Sequence, residues 1–277
     1  MLPDFIVIGA MKAGTTALFQ YLVKHPRVSM PWRKELDFFS NEVNWAKGIA
    51  WYEEQFATAS PGQRVGEASP NYSKRHTWPE TPGRMAEVLP DARIIYMVRD
   101  PIARMQSMYL DMLHYGGEVR SMNDVAGDHD YRTTSSYGWQ LVPYVEAYGA
   151  DRVLVETADR LRADRDAVLD RVFRFLDVDP ASMPPVGPIE ANRSDEKRIP
   201  NLVGRRVRRS RPWAVDPKRK DLPRWRNRLL LRQSSHDAAK LSGLKRRELE
   251  DLFTPDLHRL QSMVDVDLSY WPWYEPQ

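Results

Sequence analysis

The sequence predicts an α/β fold in which a central parallel sheet lies between two layers of helices. The β-branched run 5–8 (FIVI) is followed by a glycine-containing loop and then by a helical pattern at 15–24. A second apolar run, 94–98 (IIYMV), leads in the same way into a helix that begins at Pro101. Strands that alternate with amphipathic helices are typical of parallel sheets covered on both faces. Ligands of such sheets bind at the carboxyl ends of the strands, where both of these junctions lie.

Local signals set the limits of the predicted elements. Pro26 ends the first helix, whereas Asp100 is a good N-cap and Pro101 suits the first position of the second helix. That second helix is expected to end near Gly116 and Gly117. Further strands are expected at 28–30, 64–66 and 152–155, and further helices at 82–89, 138–148, 163–177 and 245–263.

Length and composition indicate a globular protein. The 277 residues suffice for one large α/β domain or two smaller ones, and 42% of them are hydrophobic. We expect a single domain over 1–277, with a basic loop or insertion at about 180–240, where proline and arginine become frequent. The absence of cysteine excludes disulfides, thiolate metal sites and cysteine nucleophiles. Since neither a signal peptide nor a membrane span is visible, the expected location is the cytoplasm.

Positive charge is concentrated in one segment. Residues 205–232 contain twelve Lys/Arg and two Asp, which gives +10, whereas the whole chain is only +3. The segment also contains Trp213 and Trp225, so it has the composition of a surface that binds a nucleic acid, a membrane or an anionic glycan. No recognised nucleic-acid motif accompanies the charge, and no nucleic-acid partner is expected. Contact with a membrane or another anionic surface, and a solvated insertion, remain open alternatives.

The first strand-to-helix loop resembles a P-loop with a displaced lysine. Gly9 and Gly14 keep the spacing of the pattern G-x-x-x-x-G-K-[ST], but Thr15 follows Gly14 and the lysine is Lys12, inside the loop. Glycines at this spacing allow successive N–H groups and a helix N-terminus to surround a phosphate. The spacing alone would suit an ordinary turn equally well, but Lys12, Thr15 and Thr16 add an ammonium and two hydroxyls. The fold is therefore predicted to be a P-loop-like three-layer α/β fold.

The second junction carries an arginine. A nucleoside triphosphatase has a magnesium-binding aspartate at the end of a neighbouring strand, but here Arg99 follows the strand and Asp100 is explained as a helix cap. A guanidinium fits a second phosphate rather than a metal ion. The sequence therefore predicts two anion sites at strand ends and no metal site. A basic nucleic-acid-binding protein is the main alternative from a different class, and the other alternative is a P-loop kinase that turns over ATP with magnesium, or another nucleotide-binding protein.

The stretches "IGAMKAGTTAL" (8–18) and "IIYMVRDPIARMQSMY" (94–109) together resemble the PAPS-dependent sulfotransferases. The likeness is to the bacterial-type members of the branch that includes the heparan sulfate and other carbohydrate sulfotransferases. It implies transfer of a sulfuryl group from 3′-phosphoadenosine 5′-phosphosulfate (PAPS) to an acceptor hydroxyl of a saccharide, glycosylated natural product or lipid. The products would be PAP and the sulfated acceptor, and no metal is required. The resemblance implies that the 5′-phosphosulfate is held by Lys12, Ala13, Gly14, Thr15 and Thr16, and the 3′-phosphate by Arg99 and Ser107.

Other stretches extend the resemblance. "PWRKELDFF" (31–39) is similar to the family segment whose glutamate is the catalytic base, which selects Glu35, with Lys12 stabilising the leaving oxygen. Tyr137 is a weaker candidate for the nucleotide, and Arg198 lies where relatives fold a basic loop over the cofactor. Without the resemblance, Glu35 would be interpreted as a solvated carboxylate, and Glu67 would be the next candidate base. Further matching stretches are "VGEASPNY" (65–72), "SSYGWQLVPYVEAYG" (135–149), "DRVLVETADRL" (151–161) and "LQSMVDVDLSYW" (260–271).

Two positions depart from the family pattern. Ala68 stands where the heparan enzymes often carry a lysine, so the sequence leaves open which residue replaces that lysine. Asp37 stands where some relatives carry a histidine, two positions after the base. Both departures weaken the inference that the acceptor is heparan-like, and the acceptor is not fixed by the sequence.

Overall fold

The computed structural model describes residues 1–189, 198–210, 229–233 and 236–275. They fall into two compact units. The first is made of 1–101, 133–191 and the chain from 252 onward, and the second of 102–132 and 192–251. The single domain over 1–277 stays a prediction.

The strands of the first unit form one parallel sheet. They are β1 (Phe5–Gly9), β2 (Val28–Ser29), β3 (Arg64–Ala68), β4 (Arg93–Val98) and β5 (Val153–Thr157). Their order in the sheet is β2-β3-β1-β4-β5, and every pair of neighbours is parallel. Strand β1 therefore lies at the centre, between β3 and β4. This confirms the predicted α/β fold and the five predicted strands.

The core follows from the apolar strands. Phe5 to Ile8 and Ile94 to Val98 have no exposed surface, as expected for strands covered by helices on both faces. Gly66 in β3 allows the closest approach in the sheet, because a Cβ there would lie 2.1 Å from the Phe5 ring. Packing of β3 against β1 thus depends on a glycine at this position.

The helices are α1 (Thr15–Leu22), α2 (Glu42–Trp45), α3 (Gly48–Glu54), α4 (Thr81–Val88), α5 (Pro101–Asp111), α6 (Met122–Val125), α7 (His129–Thr133), α8 (Tyr137–Tyr148), α9 (Ala158–Ala163), α10 (Arg165–Phe175), α11 (Leu202–Ser210) and α12 (Gly243–Met263). The structure confirms the predicted helices at 82–89, 138–148 and 245–263. The helix predicted at 163–177 is confirmed as α10, and the short helix α9 that precedes it was not predicted. The Asp164 side chain accepts a hydrogen bond from the Ala167 N–H and caps α10, so α9 and α10 are separate helices.

The second unit contains the helix that follows Asp100. Helix α5 continues into a π-helical turn over Met112–Gly116, and the turn ends at Gly117, whose φ is +81°. This confirms the predicted start and end of that helix. Strands β6 (Arg198–Pro200) and β7 (Leu231–Gln233) pair antiparallel.

Among the described helices, none combines the length and the apolar composition needed to cross a membrane.

Candidate active site

Two glycines shape the β1–α1 loop (residues 10–14): Gly9 directly before it and Gly14 at its end. Gly9 has φ +155°, and a Cβ there would lie 2.1 Å from the Ser73 Oγ. Gly14 has φ +85°, and a Cβ there would lie 3.3 Å from the Cβ of Ala158. Larger residues at either position would therefore move the loop away from the segments that pack against it.

Helix α1 begins without a side-chain cap. Gly14 occupies the N-cap position and contributes no side-chain acceptor to the first N–H groups. Ala13 and Thr15 are buried, and Thr16 is half-buried. An N-terminus of this kind carries partial positive charge and favours an anion. The structure thus brings Lys12, Ala13, Gly14, Thr15 and Thr16 together at a helix start suited to a phosphate or phosphosulfate.

Arg99 lies directly after β4, next to β1 in the sheet. Its Nε is buried and has no hydrogen-bond partner among the described residues. Burial lowers the pKa of Arg99 below its ordinary value, the nearby Arg162 lowers it further, and Asp159 opposes both effects. A buried guanidinium nitrogen without a partner is unfavourable until an acceptor reaches it. Arg99 is therefore suited to a second anion, and its contact with a phosphate stays a prediction.

Tyr137 holds the backbone of Arg99. Its hydroxyl donates a hydrogen bond to the Arg99 carbonyl oxygen (2.7 Å), and its ring has no exposed surface. The ring packs edge to face on Tyr96, with 5.9 Å between the ring centroids. These contacts give Tyr137 a part in positioning Arg99, while its contact with the nucleotide stays a prediction.

Two C-terminal tryptophans stabilise the turn after β4, and sequence reasoning missed them. The Trp273 indole N–H donates to the Asp100 carboxylate (2.5 Å), and the Trp271 indole N–H donates to Asp159 (3.0 Å). The same Asp159 oxygen accepts the Asp100 backbone N–H (3.3 Å). Trp271 is buried and Trp273 is half-buried, and an indole N–H in such surroundings usually has an acceptor. The sequence carried no signal of which acceptors these would be.

Glu35 adjoins the carboxyl end of β3. Its backbone N–H donates to the Ala68 carbonyl oxygen (3.1 Å), and its side chain is 51% exposed. The Lys34 ammonium lies 2.6 Å from the Glu35 Oε1. Strand β3 is the other neighbour of β1, so Glu35 and the β1–α1 loop lie at the same edge of the sheet.

Left-handed backbone is concentrated at this edge. Among the described residues, four that are not glycine have positive φ: Lys12 (+71°), Glu35 (+65°), Asp37 (+50°) and Asp177 (+52°). Three of the four lie in the β1–α1 loop or beside the end of β3. Because such a conformation is unfavourable for a residue with a Cβ, it persists only where surrounding contacts impose it, and it is enriched at functional sites.

Asp37 is a second carboxylate beside Glu35. Its oxygens accept hydrogen bonds from the Asn71 amide at 3.2 and 3.3 Å. Burial raises the pKa of Asp37 above its ordinary value, and the Glu35 charge adds to this, whereas Asn71, Lys34 and Lys74 act in the opposite direction. The Asp37 carboxylate therefore holds the Asn71 amide close to the Glu35 segment.

Glu67, on β3, is fully buried. Its Oε1 accepts hydrogen bonds from the Ser69 hydroxyl (2.5 Å) and the Tyr72 hydroxyl (2.8 Å), and its Oε2 from the Tyr52 hydroxyl. Burial raises its pKa to about 7, although the three hydroxyls favour the ionised form. Since Glu67 has no exposed surface, it does not reach an acceptor directly, and its contacts are those of a residue that holds its neighbours.

The remaining predicted residues lie in the second unit or outside the described chain. Ser107 lies on α5 and is buried, and Arg198 begins β6. Residues 211–228 of the basic segment, including Trp213 and Trp225, lie outside the described residues. Within the described ranges, no group of three or more histidines and carboxylates could hold a metal ion.

Comparison with known proteins decides the family. A family model described as a sulfotransferase domain matches residues 2–192, which is more than half of the chain. The chain belongs to the sulfotransferase family. This confirms the resemblance to the sulfotransferases that the stretches 8–18 and 94–109 indicated.

Two eukaryotic sulfotransferases are similar to this domain in sequence. Membrane-associated sulfotransferase kil1 of Dictyostelium discoideum is 40% identical over 111 residues, which is 39% of this chain and 22% of that protein. Heparan sulfate glucosamine 3-O-sulfotransferase 5 of Mus musculus is 29% identical over 192 residues, which is 65% of this chain and 54% of that protein. The chain thus spans between about a fifth and about half of the length of these curated relatives.

Solved structures share the fold. A sulfotransferase from Alicyclobacillus acidocaldarius superposes with a TM-score of 0.69, at 23% identity and over 98% of this chain and 99% of that one. Mouse sulfotransferase SULT7A1, solved with PAP, gives a TM-score of 0.51 at 15% identity, over 92% of this chain and 84% of that one. The three-layer α/β fold is therefore that of solved sulfotransferases.

Proposed function

We propose that this chain transfers a sulfuryl group from PAPS to an acceptor hydroxyl of a saccharide, glycosylated natural product or lipid. The observation that carries the proposal is a pair of features suited to anions at neighbouring strand ends. They are the start of α1, which has no side-chain cap, and the buried Nε of Arg99, which has no partner in the described part of the chain. Membership of the sulfotransferase family supports it, and so does the presence of PAP in the mouse relative of the same fold.

The residues present fit PAPS as the donor. The start of α1, with Lys12 to Thr16, would hold the 5′-phosphosulfate, and Arg99 would hold the 3′-phosphate. When bound, PAPS supplies an activated sulfuryl group attached to a good leaving phosphate. The parts of Ser107 and Arg198 stay predictions, as does the expectation that no metal is required.

Glu35 is proposed as the base. One of its carboxylate oxygens is held by the Lys34 ammonium at 2.6 Å, and its side chain is half exposed, so the other oxygen can take the proton of an acceptor hydroxyl. Lys12 is proposed to stabilise the negative charge that develops on the leaving oxygen. Both residues have left-handed backbone, which persists only where surrounding contacts impose it.

The decisive experiment is thermal denaturation with PAP in the absence of magnesium, compared with ATP and magnesium. A ligand that binds only the folded chain stabilises it by RT ln(1 + [L]/Kd), about 2.7 kcal/mol at a hundredfold excess over Kd. We expect stabilisation by PAP and none by ATP and magnesium. The opposite result would favour the kinase alternative and overturn the proposal.

The acceptor is proposed only as a hydroxyl-bearing molecule. Ala68 is fully buried at the end of β3, and the nearby cation at that end is Lys34, paired with Glu35. Incubation of cell extract with isotope-labelled PAPS, followed by mass spectrometry, is expected to reveal a sulfated alcohol. Label found only on an amine would overturn the hydroxyl assignment.

Helix α11 is proposed to contact an anionic membrane surface. Leu202 (82% exposed), Val203 (57%) and, beside the start of the helix, Leu229 (60%) expose apolar side chains, and Arg206 and Arg209 are exposed on α11. Exposed apolar residues combined with arginines are typical of helices that lie in a membrane interface. A purely electrostatic contact with a soluble polyanion would not require the apolar side chains.

Vesicle co-sedimentation tests this contact. We expect binding to vesicles that contain phosphatidylserine, weak binding to pure phosphatidylcholine, and a loss of binding in Leu202→Ser/Val203→Ser. Leu244→Ser is the matched control, because Leu244 is also 82% exposed but lies on α12. Binding to heparin or DNA without binding to any vesicle would assign the surface to a soluble polyanion instead.

A further inference from the structure

Two backbone N–H groups of the Glu35 segment (residues 35–39) donate to side-chain hydroxyls, while the Glu35 N–H donates to the Ala68 carbonyl oxygen. The Asp37 N–H donates to the Ser69 Oγ (3.0 Å), and the Phe39 N–H donates to the Tyr72 hydroxyl oxygen (3.4 Å). These bonds join residues more than thirty positions apart in the chain. The backbone of the segment therefore depends on where two hydroxyl groups point.

Both hydroxyls are oriented by one carboxylate. Ser69 and Tyr72 donate their single protons to the Glu67 Oε1, at 2.5 and 2.8 Å. A hydroxyl has one proton and two lone pairs, so a hydroxyl that donates to Glu67 presents its lone pairs to other donors. The Asp37 and Phe39 N–H groups are the donors that use them.

The other carboxylate oxygen of Glu67 supports Phe38 of the segment through Tyr52. Its Oε2 accepts the Tyr52 hydroxyl, and the Tyr52 ring stacks on Phe38 with 4.4 Å between centroids and 9° between planes. Tyr52, Tyr72 and Ser69 are all fully buried. Because no exposed surface is available, water does not replace these hydrogen bonds when one partner is removed.

We propose that Glu67 is a positioning residue, whose carboxylate fixes the Glu35 segment through the hydroxyls of Ser69, Tyr72 and Tyr52 and thereby directs the Glu35 side chain. The positioning step stands on the geometry alone, whereas its catalytic consequence rests on the proposed function of Glu35. The network explains how Glu35 and Asp37 keep left-handed backbone, since such residues persist only where several contacts impose the conformation.

Substitutions in this network differ in which hydrogen bonds they keep. Glutamine can keep a carbonyl oxygen at the Oε1 position and place its amide toward the Tyr52 oxygen, so Glu67→Gln retains the acceptor for Ser69 and Tyr72. Leucine fills a similar volume and has no acceptor, so Glu67→Leu frees both hydroxyls. Ser69→Ala and Tyr72→Phe each remove one hydroxyl and leave the carboxylate in place.

Amide hydrogen exchange followed by NMR tests the positioning step without any activity. We expect Ser69→Ala to speed exchange of the Asp37 amide at least tenfold and to leave Phe39 little changed, and Tyr72→Phe to do the reverse. Glu67→Leu should speed both, and Glu67→Gln neither. Tyr274→Phe is the matched control, because this buried tyrosine donates its hydroxyl proton to Gln261, far from the Glu35 segment in sequence. Unchanged exchange at both amides in Ser69→Ala and Tyr72→Phe would overturn the proposal.

Kinetics test the consequence for Glu35. Ser69→Ala and Tyr72→Phe should each lower kcat about tenfold, with the KM for PAPS unchanged, and neither should lower the residual rate of Glu35→Gln further. A further tenfold loss in the Glu35→Gln background would overturn the link to Glu35. If the chain transferred no sulfuryl group at all, the proposed function would fail while the exchange results still decided the positioning step. Should Glu67→Leu not fold, the Ser69 and Tyr72 variants carry both tests.

Discussion

At the scale of single residues, the candidate site combines a carboxylate proposed as the base with an ammonium proposed to stabilise the leaving oxygen. Glu35 and Lys12 both have left-handed backbone. Lys12 lies in the loop after β1, and Glu35 is hydrogen-bonded to the last residue of β3. Each side chain nevertheless has a separate expected part, and substitutions can separate them.

Glu35→Gln is expected to lower sulfuryl transfer about 10² to 10⁴-fold and to leave the Kd for PAP nearly unchanged. The substitution keeps the size and removes the base. Lys12→Ala should damage binding and rate together, because its ammonium would meet both the bound donor and the developing charge. Calorimetry with PAP and a radiolabelled transfer assay separate the two effects. Glu54→Gln, at an exposed position on α3, is the control, and normal turnover of Glu35→Gln would contradict the assignment.

Arg99→Ala is expected to weaken PAP binding by about 1.5 to 3 kcal/mol, the range for a hydrogen bond to a charged group. Arg99→Lys should recover only part of this, since an ammonium lacks the planar pair of donors. Isothermal titration calorimetry with PAP measures both variants. Arg174→Ala is the control, because Arg174 is 70% exposed and pairs with Asp170. Equal PAP affinity in wild type and Arg99→Ala would show that the second anion site is misassigned.

At the scale of elements, the turn from β4 into α5 depends on a segment at the other end of the chain. Trp271 and Trp273 donate to Asp159 and Asp100, and Asp159 also accepts the Asp100 N–H. The turn carries Arg99, whose carbonyl is held by Tyr137. The C-terminal segment and helix α8 therefore fix the backbone on either side of the guanidinium.

Trp273→Phe is expected to weaken PAP binding by less than Arg99→Ala, because it removes the indole N–H that holds Asp100 but leaves the arginine in place. Calorimetry with PAP measures the effect, and Tyr270→Phe, at a 41% exposed neighbouring position, is the control. A loss as large as that of Arg99→Ala would mean that Trp273 itself contacts the nucleotide. No change at all would contradict the role of the C-terminal segment in positioning Arg99.

At the scale of the whole molecule, the protonation of Glu67 makes the free energy of unfolding depend on pH. Its pKa is about 7 in the folded chain, against 4.5 for an ordinary glutamate, so between these values the folded chain holds a proton that the unfolded chain has released. Raising the pH through this window therefore favours unfolding. The contribution of Glu67 to the free energy of unfolding is fully present below pH 4.5 and is lost as the pH rises through about 7.

Glu67→Gln is expected to remove this dependence, because glutamine binds no proton. The free energy of unfolding of Glu67→Gln minus that of the wild type should rise between pH 5 and 7, by at most about 1.4 kcal/mol per pH unit. Urea denaturation at several pH values measures it, and taking the difference cancels the other titrating groups. Glu54→Gln should give a difference that does not change over this range. A constant difference for Glu67→Gln as well would contradict the raised pKa.

The sequence predicted the parts of the fold and the site that depend on neighbouring residues. The strand at 94–98, the helix start at Pro101 and the helix end at Gly117 follow from apolar runs and capping residues, and the structure confirms them. Helix α9 was not predicted, because its six residues are too few to show a helical pattern of apolar residues.

The sequence by itself determined the sheet, its flanking helices and the two motifs, 8–18 and 94–109, that place the chain among the sulfotransferases. These features depend on short-range patterns of residue type. Only the tertiary structure decided that Glu67 is a buried carboxylate beneath the Glu35 segment and that Trp273 holds Asp100, 173 positions away in the chain. Burial and hydrogen bonding between distant segments leave no periodicity in the sequence, since they arise only when the strands have assembled and the loops at their carboxyl ends meet.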